Sequence, residues 1–224
     1  MKARIKFRKY GVMKFIGHLD MMRFFQKAMR RAQIPIALSG GYSPHMIMSF
    51  AQPLGVGLTS DGEYMDVELK APIASAEAVE RLNKAMVEGV EVVSFREIPD
   101  EKKASGMTIV AAADYKVTLL ASSRTSEITE DIPECWIEKT EAFMGLPEIV
   151  VMKKTKRSEK EVDIKPMIYN MEACKDGWHL FLATGSEQNL KPDLVMDAFL
   201  KYCGEEPQNV PLNFHRLEVY ARQD

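Results

Sequence analysis

Ala3-Arg4-Ile5-Lys6-Phe7-Arg8-Lys9 places Ala3, Ile5 and Phe7 on one side of an extended chain and Arg4, Lys6 and Arg8 on the other. A period of two is the pattern of a strand with one face in a core. Gly11 marks a turn, and 13–16 reads as a short second piece of strand. A helix is predicted over 18–33. It stops before Pro35, because the residue ahead of a proline is pushed out of the helical region. Its apolar stripe reads Leu19, Met22, Phe25 or Phe24, Met29 and Ala32. The glycine-rich loop Ser39-Gly40-Gly41-Tyr42-Ser43-Pro44-His45 follows. Stretches 46–52 and 63–70 read as strands around the turn Leu54-Gly55-Val56-Gly57. Ser75 can cap a helix over 76–87 that Gly89 ends, and 90–98 reads as a closing strand.

The resulting order, β-α-β-β-α-β, is the ferredoxin-like arrangement. An α+β fold is therefore expected, with a ferredoxin-like unit over residues 1–99. The polar stretch Pro99-Asp100-Glu101-Lys102-Lys103-Ala104-Ser105-Gly106 makes 100–110 the expected linker. Beyond it, 111–224 reads as a second α+β unit, also ferredoxin-like. Its strands are expected at 114–121, 148–152, 162–170, 178–184 and 214–221, and its helices at 132–144 and 192–203. The last helix has Pro192 at its first position and Gly204 just past its end, the usual asymmetry of those two residues. A basic ribbon tip is expected near 153–160.

Charge is distributed unevenly. The first 50 residues contain ten basic side chains and one acidic one, Asp20, a charge of +9; the remaining 174 residues carry −11. Such asymmetry points to an anionic partner for one part of the surface. No apolar run approaches the roughly 18 residues that cross a bilayer, and the opening residues lack the apolar core of a signal peptide. A cytoplasmic protein without membrane contact is expected. The three cysteines, Cys135, Cys174 and Cys203, are widely spaced, without a CxxC pair. They suit neither a zinc site nor an iron–sulfur cluster, so no metal or cofactor is expected.

Phe15-Ile16-Gly17-His18-Leu19-Asp20-Met21-Met22-Arg23 resembles the opening of the radical-SAM-linked protein family of bacteria. So do Gly41-Tyr42-Ser43-Pro44-His45 and Met48-Ser49-Phe50-Ala51 through Leu54-Gly55-Val56. Val162-Asp163-Ile164-Lys165-Pro166 and Asn189-Leu190-Lys191-Pro192-Asp193 resemble its second half. The resemblance implies a radical S-adenosylmethionine protein as partner. It supplies no catalytic residues. The three clustered cysteines of a radical enzyme are absent from this sequence.

Arg23, Lys27, Arg30 and Arg31 fall within about 100° of helical arc, a continuous basic stripe. A solvated helix face is the plainer explanation, but Arg4, Lys6 and Arg8 line a strand face too, with no nearby carboxylate except Asp20. Sheet faces of this kind bind single-stranded RNA, with Tyr10, Tyr42 and Tyr64 available for stacking. The reading is a non-catalytic adaptor that binds RNA through Arg4, Lys6, Arg8, Arg23, Lys27, Arg30 and Arg31, with Lys153, Lys154, Lys156 and Arg157 as an outlying clamp. The strand and helix cations lie on opposite sides of the sheet, so one ligand touching both must wrap an edge. The alternatives are an RNA-processing enzyme using His18 or His45 as base, and a protein–protein scaffold docking through exposed methionines. Bracing roles for the two histidines, and tight turns for Gly40, Gly41 and the 55–57 loop, are the simpler explanations. Nothing in the sequence points to an oligomeric state.

Overall fold

In the computed structural model the opening alternation becomes β1 (Lys2–Lys9), with Ala3, Ile5 and Phe7 buried. The structure describes residues 1–101, 104–121, 128–154 and 159–222, without the side chains of 153 and 154. Two compact units are present: residues 1–111 with 218–224, and residues 112–217. Both are α+β. Among the described residues no helix is long and apolar enough to cross a membrane.

In the first unit β1 is followed by a 3-10 turn (Gly11–Phe15) and helix α1 (His18–Arg31). Then come β2 (Met48–Ala51), β3 (Thr59–Glu68), α2 (Ser75–Ala85) and β4 (Val90–Ile98). β1 pairs antiparallel with β3 and β4, and β2 pairs antiparallel with β3. The order is thus β4-β1-β3-β2. Both helices contribute to the core on the Ile5 side of the sheet, where Phe25, Met29, Ala78 and Leu82 join Phe7, Met65 and Val92.

Four expectations need correction here. Residues 13–16 do not extend as a strand. Gly11 takes φ +56°, the Met13 and Ile16 amides donate to the Tyr10 and Met13 carbonyls, and buried Lys9 donates to the Ile16 carbonyl at 2.7 Å. These bonds curl the segment into a turn. The seam of α1 is Met21, Phe25, Ala28, Met29 and Ala32, an i, i+4, i+7, i+8, i+11 series. Leu19 lies off its phase and is exposed. Gln33, with φ +52°, ends the helix two residues before Pro35. Finally, Ser75 makes no cap; Ala74 holds that position.

The polar stretch after β4 leads to the one-turn helix α3 (Gly106–Ile109), held against the other side of the same sheet. The Ala104 carbonyl accepts from Arg4 at 2.6 Å, and the Gly106 amide donates to Asp66 at 2.7 Å. A Cβ on Gly106 would stand 2.7 Å from that of Ala51, so only glycine permits this approach.

The second unit contains β5 (Val110–Leu120, from Ala112 onward), β6 (Thr129–Glu130), α4 (Glu134–Met144), β7 (Val150–Lys154) and β8 (Glu159–Asp163). β9 (Ile168–Cys174), β10 (Gly177–Ala183), α5 (Pro192–Cys203) and β11 (Leu212–Ala221) complete the chain. β11 belongs to this unit up to Leu217, and from Glu218 the chain belongs to the first. β10 pairs antiparallel with β5 and β9, and β7 pairs with β8. The expected strand 162–170 is divided at Pro166, within a 3-10 turn (Lys165–Met167). Trp178 is the central core residue. It packs on Trp136 and Phe199, and its indole donates to Thr140 at 3.0 Å.

Candidate anion-binding surface

Register decides what the strand cations do. β1 and β3 place Arg4 opposite Asp66 and Lys6 opposite Tyr64, and side chains at opposed positions share a face. Arg4 Nε and Nη2 donate to the Asp66 carboxylate at 2.7 and 2.9 Å. Lys6 Nζ donates to Glu218 at 2.6 Å and lies 5.6 Å from the Tyr64 ring centroid. Arg8 stands 3.3 Å from both Asp61 and Glu91. Lys2 pairs with Asp100. The expectation of strand cations without neighbouring carboxylates therefore does not survive folding.

The Lys6 group is electrostatically coupled. Partial burial pulls its ammonium down, but hydrogen bonding to Glu218 and charge from Tyr64 and Glu218 outweigh that and hold its pKa above the ordinary value. Burial, then the Glu218 carboxylate, pushes the Tyr64 phenol up. Both groups stay protonated through the neutral range. The same face carries a cavity of about 200 Å³ lined by Arg4, Tyr64, Ile109 and Val219, smaller than the roughly 300–1,000 Å³ of most small-molecule sites.

What remains of the positive charge is concentrated on α1. Arg23, Lys27, Arg30 and Arg31 are all exposed. Only Arg23 has an acidic neighbour, Asp20 at 3.1 Å; Lys27, Arg30 and Arg31 make no ion pair among the described residues. Arg30 and Arg31 sit in the last turn, where the helix dipole favours cations. The stripe follows from the heptad-like phase of the core seam: with Met21, Phe25 and Ala28 inward, residues 23, 27, 30 and 31 turn outward.

The stripe has an apolar head that the sequence reading overlooked. Val12 and Phe15 project from the 3-10 turn at 75% and 54% exposure, and Leu19 follows at 62%. Val56 is exposed too, and its Cγ2 lies 3.7 Å from where a Cβ on Gly17 would stand. Lys14 Nζ lies 5.2 Å from the Phe15 centroid. The available signal was phase, since Leu19 falls outside the 21/25/28/29 series. The methionines of this region serve the core: Met21, Met29 and Met46 are buried, and Met13, Met22 and Met48 pack against the same cluster.

His18 and His45 are both exposed and each has its own neighbour. His18 stands edge-on to Phe50, with centroids 5.0 Å apart. His45 Nδ1 and the Ser39 hydroxyl are 2.8 Å apart, and the His45 amide donates to the same oxygen. No hydrogen bond or ring contact joins the two histidines. The loop between, with Gly40, Gly41, Tyr42, Ser43 and Pro44, is closed by the Ser39–His45 pair and exposed throughout; Gly41 supplies its positive φ. Lys156 and Arg157 lie outside the described residues, as do the side chains of Lys153 and Lys154, so the expected ribbon clamp has no structural description. In the second unit, Ser186, Asn189, Lys191 and Asp193 line an open cleft of about 530 Å³ at the start of α5. The three cysteines are free thiols.

The model of a family described as an uncharacterized protein conserved in bacteria (DUF2344) matches residues 2–192. The chain belongs to this family. The family's span takes in β1, the 3-10 turn, the whole α1 stripe and the 39–45 loop. It ends at the first residue of α5. A comparison with curated proteins finds no match.

Proposed function

We propose that this chain is a non-catalytic, cytoplasmic accessory protein that works with a radical S-adenosylmethionine partner and binds RNA through the first unit. The β4-β1-β3-β2 order, antiparallel throughout with α1 and α2 on one face, supports a ferredoxin-like assignment for that unit. The partnership rests on the motif resemblance around Phe15–Arg23, Gly41–His45 and Asn189–Asp193.

The observation that carries the RNA reading is the outward row Arg23, Lys27, Arg30 and Arg31, crossed by one carboxylate. A chain of net charge −2 that concentrates unpaired cations along one helix attracts a polyanion there. Arg4, Lys6 and Arg8 are withdrawn from this role by their ion pairs, which a phosphate would have to displace.

The test is fluorescence anisotropy with labelled RNA. On single strands each phosphate contact contributes about 0.7 to the log–log salt slope, or about 0.7 decade of affinity at 0.1 M salt. Reversing Arg23, Lys27 and Arg30 to Glu is expected to weaken binding about a hundredfold under those conditions. The melting temperature should stay within about 2 °C, because the side chains are exposed and an isolated surface pair contributes little. A triple variant that binds as tightly as the parent would leave α1 a solvated face.

A further inference from the structure

The head of the α1 stripe deepens the RNA reading and rests on it. Tyr10, Val12 and Phe15 reach solvent from a turn that is fixed at several points. The Tyr10 amide donates to the Gly89 carbonyl at 2.9 Å, buried Lys9 holds the Ile16 carbonyl, and the Gly57 amide donates to the Lys14 carbonyl at 2.7 Å. A side chain on Gly89 would meet the Tyr10 carbonyl at 2.7 Å, so this closure depends on glycine. The two exposed rings thus belong to a preformed turn that leads directly into the cationic helix, with the Lys14 ammonium over the Phe15 ring.

A duplex offers such a surface little. Its bases are stacked inside, and it presents phosphates and 2′-hydroxyls. A single strand presents base faces, and these stack on exposed aromatic side chains while the backbone follows basic residues. We propose that the first unit takes RNA as a single strand, with unstacked bases on Tyr10 and Phe15, and phosphates continuing along Arg23, Lys27, Arg30 and Arg31. Leu19 and Val56 border the bases and keep water from their edges.

The experiment compares a labelled uridine oligomer of about ten nucleotides, within the range one single-stranded site covers, with a blunt RNA duplex of equal length. The parent protein is expected to prefer the single strand about tenfold at equal salt. Tyr10→Leu with Phe15→Leu keeps apolar bulk and removes the rings. That variant should lose about tenfold on the single strand, change little on the duplex, and keep the parent's salt slope. Circular dichroism melting serves as the folding control, and exposed positions should not move it.

Equal affinity for both RNAs, or a leucine variant that binds the single strand as the parent does, overturns the single-strand inference while leaving RNA binding intact. Absence of binding to either RNA, or indifference to the Arg23/Lys27/Arg30 reversal, removes the RNA reading itself. Binding of a glutamate–leucine peptide that is lost in the leucine variant would assign the patch to an acidic protein segment and overturn the inference as well.

Discussion

Asp66→Ala is expected to lower the unfolding free energy by about 3 kcal/mol, the lower end of what removing one partner of a buried ion pair costs. The Asp66 carboxylate accepts two bonds from Arg4 and one from the Gly106 amide. Without it, the Arg4 side chain, one-fifth exposed, retains the Ala104 carbonyl as a hydrogen-bond partner. The Gly106 amide loses its acceptor at the same time, which weakens the attachment of the segment 104–106 to the sheet. That remaining exposure is why the low end of the range applies. Replacing both residues, Arg4→Met with Asp66→Ala, should recover much of the loss, because a pair exchanged for apolar groups of similar volume is close to neutral. Urea denaturation of the two single variants and the double variant measures the coupling. A loss below about 0.5 kcal/mol for Asp66→Ala would mean that Arg4 is satisfied by water.

Phe25→Ala acts on the opposite face of the same sheet and is expected to cost about 3–5 kcal/mol. Phe25 is fully buried. Its ring meets Phe7 at 4.7 Å, Phe24 at 5.6 Å and Phe50 at 6.0 Å, with inclined geometries. Alanine removes transfer energy and leaves a cavity between α1 and β1, and the aromatic pairs add to the loss. The change should also weaken RNA binding, but only as far as the unit unfolds. A stabilising concentration of osmolyte should therefore restore binding in Phe25→Ala and leave the Arg23/Lys27/Arg30 reversal unaffected. A cost under about 1 kcal/mol would place α1 outside the cooperative core.

How much of this was legible in the sequence varies with the range of the interaction. The inward set Ala3, Ile5 and Phe7 and the existence of α1 and α5 follow from local period and from Pro192 and Gly204, so the α+β class is visible from residues alone. The 3-10 turn at Gly11–Phe15 was misread because distant bonds help to fix it, the Tyr10 amide to the Gly89 carbonyl and the Gly57 amide to the Lys14 carbonyl. The phase of α1 was displaced for a similar reason: Leu19 is as apolar as the residues of the seam, and only the sheet beneath decides which side faces inward. Charge was the least legible. Arg4 meets a carboxylate 62 residues away and Lys6 one 212 residues away. Counting acids near those cations in sequence could not find either. The outward direction of Arg23, Lys27, Arg30 and Arg31, by contrast, needs only helical geometry.

The most direct test of the central claim is the salt dependence of RNA binding by the unmodified protein. Three to four phosphate contacts along α1 predict a log–log slope of about −2 to −3 on a single strand. The same titration on the Arg23/Lys27/Arg30 reversal should flatten by about 2. Measurable binding with a slope near zero, or a parent slope unchanged by the reversal, would contradict the assignment of α1 as the RNA-binding surface.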